Sequence, residues 1–316
     1  MRKTEISPIT NDIDICIDSI ASDKSISHRS AIFSFFSNKQ SRVRNYLFGE
    51  DTLDTLKIAI QLGLEVKDSN GNINNIESIK NSKELYLSSK NGINEPPDIL
   101  YCGNAGTAMR LYMGLLAPNK GHFVLSGDKY LNSRPMARII EPLNSIGANI
   151  SARCNNSLAP ICINGTILSP FAYHSAISSA QVKGAMILSA LQIDGISKFS
   201  EVSKSRDHTE RMFLGMGARL EINANEIIIN SSKEPLNPLD ITIPADPSSA
   251  FYFAVLAAIT NNTKVVLKDV LLNPTRIEAF FVLQKMGVDV NIEIKSREYE
   301  DIGNIIIKNN ELNAIN

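Results

Sequence analysis

What this sequence lacks narrows its function first. Its four cysteines, Cys16, Cys102, Cys154 and Cys162, show no CxxC spacing, so neither a zinc site nor a dithiol redox pair is expected. They read as buried free thiols in a reducing compartment. The four histidines, His28, His122, His174 and His208, form no HExxH pair and accompany no GxSxG elbow, which argues against zinc and triad hydrolases. No DxDxDG-like acidic cluster is present, so the expectation is no metal and no cofactor. Charge of one sign is also missing: 32 Lys and Arg against 33 Asp and Glu leave a net charge of −1. Such a balance gives no broad field to hold nucleic acid, and any anion site must be local. Long hydrophobic runs are absent. The most apolar stretch, Ala250 to Ile259, falls well short of the roughly 20 residues that span a bilayer and reads as a core helix. Met1 to Ile6 turns polar before a signal peptide could develop. A cytoplasmic protein away from membranes, and a monomer, is the expectation.

What is present points to a repeated α/β architecture. With 316 residues, 43% of them apolar, the chain is long enough for two domains with separate cores. An amphipathic helix pattern, a glycine and a β-rich segment recur at Leu62-Gly63-Leu64, Ile146-Gly147-Ala148, Met216-Gly217-Ala218 and Met286-Gly287-Val288. Glycine suits the left-handed position just past a helix, so each joint predicts a helix stop. The spacing of the joints implies a supersecondary unit of about 70 residues. Strands are predicted around Ile13 to Ile17, His122 to Leu125, Ile161 to Ile163 and Val265 to Leu267, with a hairpin joining Leu220-Glu221-Ile222 to Ile227-Ile228-Ile229. The class is α/β with mixed sheets. A Rossmann fold is excluded because no GxGxxG follows a first strand.

Five predicted helix starts carry a cation where the macrodipole disfavours one. They are Asp23-Lys24-Ser25-Ile26-Ser27-His28-Arg29, Gly103-Asn104-Ala105-Gly106-Thr107-Ala108-Met109-Arg110, Ser133-Arg134-Pro135-Met136, Ser178-Ser179-Ala180-Gln181-Val182-Lys183 and Ser205-Arg206-Asp207-His208. Together they cost on the order of 1.5 to 5 kcal/mol unless anions sit there. Free N–H groups, small polar side chains and a cation are the parts of phosphate and carboxylate sites. Each also has an ordinary alternative: Lys24 and Arg29 solvated, Ser178 and Ser205 as caps, Pro135 at the first helical position. Asn273-Pro274-Thr275-Arg276 is a further start with an early arginine and no evident ligand, whereas Asp246-Pro247-Ser248 reads as an ordinary cap.

These strings, with Ser205-Arg206-Asp207-His208-Thr209-Glu210, are in order and spacing similar to the 5-enolpyruvylshikimate-3-phosphate synthase family. GNAGTAMR is the most specific of them. The resemblance implies the two-domain enolpyruvyl transferase fold, an inverse α/β barrel of repeated βαβαββ units. It places residues 22–240 in a first domain and residues 1–21 plus 241–316 in an incomplete second one. Six units of about 70 residues need about 420. The Lys-Glu-Ser-Asp-Arg string that the family carries in its second domain is not found after Arg276, so either a fragment or a truncated product is expected.

The reaction so implied moves the enolpyruvyl group of phosphoenolpyruvate to the 5-hydroxyl of 3-phosphoshikimate and releases phosphate. Lys24 would touch both substrates and move a proton. Ser25 and Arg29 would hold the shikimate carboxylate side; Ser179, Ala180, Gln181 and Arg206 its phosphate and ring. Asn104, Gly106, Thr107 and Arg134 would hold phosphoenolpyruvate, with Gln181 nearby. Lys24, Arg29, Arg110, Arg134, Lys183 and Arg206 would offset the substrate charge. The partners are thus small anionic molecules. Three alternatives stand beside this reading. A UDP-N-acetylglucosamine enolpyruvyl transferase would carry a cysteine within 128–133, where none stands; an RNA 3′-phosphate-processing enzyme would favour a basic face; a non-catalytic phosphosugar-binding fragment would lack the later motifs.

Overall fold

The computed structural model describes residues 12–69, 71–73, 76, 79, 82–231 and 234–315; Met1 to Ile6, read above for a signal peptide, lies outside them. The chain begins with β1 (Ile13–Ile17), α1 (Lys24–Phe33), β2 (Ser41–Arg44), α2 (Glu50–Gln61), β3 (Glu65–Asp68), β4 (Gly71–Asn72) and β5 (Glu84–Ser88). Then come β6 (Leu100–Tyr101), α3 (Gly106–Leu116), β7 (His122–Ser126), α4 (Ala137–Ser145), β8 (Asn149–Ala152), the single left-handed turn α5 (Arg153–Asn156) and β9 (Leu158–Asn164). A third stretch holds β10 (Ala172–Ser175), α6 (Ala180–Ala190), β11 (Ile196–Glu201), α7 (His208–Gly215), β12 (Arg219–Asn223) and β13 (Glu226–Asn230). The last is β14 (Asp240–Thr242), α8 (Pro247–Ile259), β15 (Thr263–Leu271), α9 (Glu278–Lys285), β16 (Asp289–Arg297) and β17 (Asp301–Lys308).

One pairing rule covers all four described sheets, with orders β6-β7-β9-β8, β10-β11-β13-β12, β1-β15-β17-β16 and β14-β2-β5-β3-β4. In each, the first strand runs parallel to the second and every other pair is antiparallel. In the β6 and β10 sheets a helix, α3 or α6, connects the parallel pair and a second, α4 or α7, leads into the third strand, which is the βαβαββ plan. Two sheets take their first strand from a distant part of the chain: β14 joins β2 in parallel, and β1 joins β15.

The glycine joints do what their chemistry predicted. Gly63, Gly147, Gly217 and Gly287 follow α2, α4, α7 and α9 with φ of +102°, +100°, +86° and +105°. At each, the next N–H reaches back across the helix end: Leu64 to the Ala59 carbonyl, Ala148 to Leu143, Ala218 to Phe213 and Val288 to Leu283, at 2.9, 3.1, 2.9 and 3.1 Å. This caps the last turn and aims the chain into the third strand. The hairpin is present as β12 and β13, paired antiparallel from Arg219↔Asn230 to Asn223↔Glu226.

The chain divides into two compact units, Lys24–Ile243 and Met1–Asp23 with Pro244–Asn316. The division falls slightly later than the sequence boundaries because Ser22 and Asp23 join the 244–245 segment: Ser22 bridges Ala245, and the Asp23 N–H donates to the Pro244 carbonyl at 2.7 Å. In the larger unit the helices are the interior. Val182 to Ala190 of α6 and Ala108 to Leu116 of α3 are buried without a break. The two helices press together at Gly114, where a Cβ would lie 2.2 Å from the Ala185 carbonyl oxygen. The rings of Phe33 and Phe213 stack at 4.0 Å, tying α1 to α7.

In the smaller unit α8 and α9 cover one face of the β1-β15-β17-β16 sheet around Val265, Leu267, Phe280, Ile305 and Ile307. Three expectations need correction. The apolar run 250–259 is not a core helix on all sides: Ala250, Ala254, Ala257 and Ala258 are buried, while Tyr252 is 80% exposed and Ile259 67%. Small side chains let the helix approach the sheet, Phe251 and Phe253 pack partly against the same core, and Tyr252 and Ile259 face outward. Arg276, for which no ligand was evident, is neutralised within its own unit. Its side chain is 4% exposed and lies 2.9 Å from Asp23 Oδ2 and 3.2 Å from Asp246 Oδ1. Asp246 is the predicted cap of α8, accepting from the Ser248 N–H at 2.7 Å. The cysteines are free, but only Cys102 is buried; Cys16 and Cys154 are exposed.

Candidate functional site

All the residues singled out for binding lie in the larger unit. The tightest of their clusters forms where Gly103 to Gly106 turns into α3. Gly103 has φ +54°. Asp54 Oδ2 sits 2.0 Å from where its Cβ would be, so only glycine fits. Ala105 caps α3 without a side-chain bond and the first turn holds no acid. Thr107 and Ala108, within the first helical turn, therefore have N–H groups with no intrahelical acceptor.

Two guanidinium groups close over this turn. Arg134 donates from Nη2 to Asn104 Oδ1 and from Nη1 to the Asn104 carbonyl, the latter at 3.5 Å. Arg110 is 5% exposed and donates to Gln181 Oε1 at 2.8 Å and to the Pro135 carbonyl at 3.3 Å, leaving a buried Nε without a partner. Gln181 in turn donates to Thr107 Oγ1 at 3.3 Å. A Cβ on Gly106 would meet Arg110 Nη1 at 3.0 Å and Arg134 Nη1 at 3.3 Å. Among the described residues, neither arginine is in an ion pair with a carboxylate. Burial, and then the like charges of Arg138 and Arg134, push the Arg110 guanidinium down to about 10. Cations crowded at a helix start without acids are the electrostatics of a site that receives an anion.

A second cluster forms at α1. Lys24 opens the helix, is half-exposed and pairs with Asp51 in the first turn of α2. Arg29 is 3% exposed, donating from Nε to Thr209 Oγ1 at 3.0 Å and from Nη1 to the Ser25 carbonyl at 3.1 Å. His28 is fully buried, its Nδ1 lying 2.6 Å from Thr55 Oγ1. Because the Thr55 hydroxyl also sits 2.9 Å from the Asp51 carbonyl, to which it donates, Nδ1 carries the proton and Nε2 faces no partner. Burial, then the charges of Lys24 and Arg29, lowers its pKa to about 3, so the ring is neutral.

The third cluster is the start of α6 with the approach to α7. Ser179 is the N-cap, accepting from the Val182 N–H at 3.4 Å; Ala180 and Gln181 head the helix with free N–H groups. Ser178 does not cap but meets Ser203, their hydroxyls 2.7 Å apart. Arg206 is exposed, just before the N-cap Asp207.

Sequence reasoning was wrong at two points in this region. Lys183 does not face a ligand: it is 2% exposed, with Nζ 2.9 Å from Glu201 Oε1 and 2.8 Å from Glu210 Oε1. Burial raises the Glu210 pKa, against the pull of Lys183. Pro135 does not open a helix; a short 3-10 turn ends at Ser133, Arg134 is extended, and α4 starts at Ala137. Asp51, Thr209, Glu201 and Arg138 were missed. Thr209 and Glu210 stand inside the 205–210 string, but nothing local marks a partner far away in sequence.

Comparison with known proteins identifies the family. Residues 9–315 match the profile of the family described as EPSP synthase (3-phosphoshikimate 1-carboxyvinyltransferase). Relatives named 3-phosphoshikimate 1-carboxyvinyltransferase include one from Campylobacter concisus, 52% identical over 96% of this chain and 68% of its own. Another, from Wolinella succinogenes, is 52% identical over 100% of this chain and 70% of its own. The solved EPSP synthase of Acinetobacter baumannii superimposes with a TM-score of 0.84 at 34% identity, covering 95% of this chain. This chain spans 66% of that structure's length. On sequence and fold alike, the chain belongs to the EPSP synthase family.

Proposed function

We propose that this chain binds 3-phosphoshikimate through the larger unit and serves transfer of the enolpyruvyl group from phosphoenolpyruvate to its 5-hydroxyl, with release of phosphate. One observation supports this most: the acid-free pair Arg110 and Arg134 over a glycine at which a Cβ would crowd both guanidinium groups. Such a pocket wall favours a compact anion able to approach backbone N–H groups. In this reading phosphoenolpyruvate lies against Asn104, Gly106 and Thr107, paired to Arg134 and near Gln181. The 3-phosphoshikimate phosphate lies at Ser179, Ala180, Gln181 and Arg206, and its carboxylate side at Ser25 and Arg29.

The chemistry asks for charge stabilisation and one proton in transit. Addition of the 5-hydroxyl to C2 of the enol, with protonation at C3, gives a tetrahedral ketal; loss of a C3 proton with expulsion of phosphate gives the product. Lys24 is assigned both tasks at this end, neutralising substrate oxygens and carrying the proton. To do so its ammonium exchanges Asp51 for substrate. The proposal takes the chain as a monomeric, cytoplasmic protein acting without metal or cofactor. No group of three His, Cys, Asp or Glu able to hold a metal, and no helix long and apolar enough to cross a membrane, occurs among the described residues.

Calorimetric titration with 3-phosphoshikimate, run beside a phosphate-release assay with both substrates, tests the reading. Saturable one-to-one binding is expected. Failure to bind at millimolar ligand refutes it, and binding without phosphate release assigns the chain the binding step alone.

A further inference from the structure

Ser205 is held at each of its polar groups by one buried ion cluster. Its N–H and its hydroxyl both donate to Glu201 Oε1, at 2.8 and 3.0 Å, and its carbonyl accepts from Lys183 Nζ at 3.2 Å. Lys183 also donates to Glu201 and Glu210, so all three of its N–H bonds are committed. The segment between β11 and α7 has no helix or strand of its own. A second fastening lies nearby, where the Ser203 N–H donates to Ser178 Oγ at 2.9 Å. The two fastenings tie the turn that carries Arg206 to the start of α6, which carries Ser179, Ala180 and Gln181.

We propose that Glu201, with Lys183, is a positioning residue that fixes Arg206 and the start of α6 at the spacing of a single phosphate group. This rests on the assignment of those residues to the 3-phosphoshikimate phosphate. The physical reason is preorganisation: a turn without regular structure would otherwise lose its conformational freedom on binding, and affinity would fall by that amount. A buried ion pair is weak as a source of stability. Its use here is geometric, because it satisfies one serine completely and so fixes the backbone from which Arg206 projects.

The test uses the 316-residue chain and two probes, 3-phosphoshikimate and shikimate, which lacks the phosphate. Glu201→Gln is expected to weaken 3-phosphoshikimate binding about tenfold, the scale of a fraction-of-an-ångström misplacement, while shikimate affinity is unchanged. In an Arg206→Ala background Glu201→Gln should cause no further loss, since its effect passes through Arg206. Equal losses for both probes, additive losses in the double variant, or no loss at all would overturn the positioning role. If Arg206→Ala alone leaves 3-phosphoshikimate binding unchanged, the phosphate assignment itself is wrong and the inference falls with it. Ser178→Ala, at an exposed position, carries the same test should Glu201→Gln fail to fold: a several-fold, phosphate-dependent loss supports the role, and none contradicts it.

Discussion

Replacing Gly106 by alanine adds a single methyl group between the two arginines of the candidate site. The new carbon would stand 3.0 Å from Arg110 Nη1, 3.3 Å from Arg134 Nη1 and 3.6 Å from Leu131 Cδ1. Ordinary contact begins near 3.4 Å, so Arg110 must retreat by a few tenths of an ångström and Arg134 by less. Arg110 has little room to do so, being buried and bonded to Gln181 and Pro135. Gly106 does not use a positive φ, so its backbone accepts alanine. The gain in helix propensity, up to about 1 kcal/mol, roughly offsets the overpacking, and the melting temperature should barely move. Misplacement by 1 Å can cost about a hundredfold, so displacement of a few tenths should weaken phosphoenolpyruvate binding about three- to tenfold. Calorimetry with phosphoenolpyruvate and 3-phosphoshikimate reads the effect, the second ligand serving as internal control. Equal phosphoenolpyruvate affinity in wild type and variant, or equal losses for both ligands, would refute the assignment of this turn.

Other perturbations test the parts of the fold that support the site. Arg276→Met leaves Asp23, which is fully buried, beside Asp246 without their cation, and should destabilise the protein by about 3 to 5 kcal/mol in chemical denaturation; a loss under 1 kcal/mol would show the pair to be dispensable. Gly147→Ala meets nothing closer than Leu168 Cδ2 at 3.9 Å, so the cost, about 1 to 2 kcal/mol, is that of a side chain at φ +100° alone. Gly287→Ala adds a clash with the Glu311 carbonyl at 2.5 Å and should cost more. His28 is neutral in the fold with a pKa of about 3, against 6.5 when exposed. The unfolded chain therefore binds the extra proton between these values, and stability should fall as pH drops from 6.5 towards 3, by up to on the order of 4 kcal/mol. Denaturation midpoints of wild type and His28→Gln across that range should converge at low pH; parallel curves would contradict the burial argument.

Much of this molecule is legible in its sequence because local chemistry fixes it. A glycine after an amphipathic run marks a left-handed helix end wherever it falls, so Gly63, Gly147, Gly217 and Gly287 were readable individually. Helix starts that carry cations were likewise visible at Lys24, Gly106 and Ala180. What sequence could not supply was the partner of each charge. Lys183 and Arg29 look alike as cations near helix starts, yet Glu201 and Glu210 take Lys183 into the interior. Arg276 resembles the arginines assigned above to substrate until Asp23, some 250 residues away, is placed beside it. The same limit explains α8. Its composition says apolar on every side, and only the packing shows that the alanines face the sheet.

A crystal structure of the chain with bound 3-phosphoshikimate tests the central claim most directly. The phosphate is predicted within hydrogen-bond distance of the Ser179 hydroxyl, the N–H groups that open α6 and the Arg206 guanidinium, with Lys183 still paired to its two glutamates. A phosphate bound elsewhere, or held by Lys183 after that pairing breaks, would contradict the account.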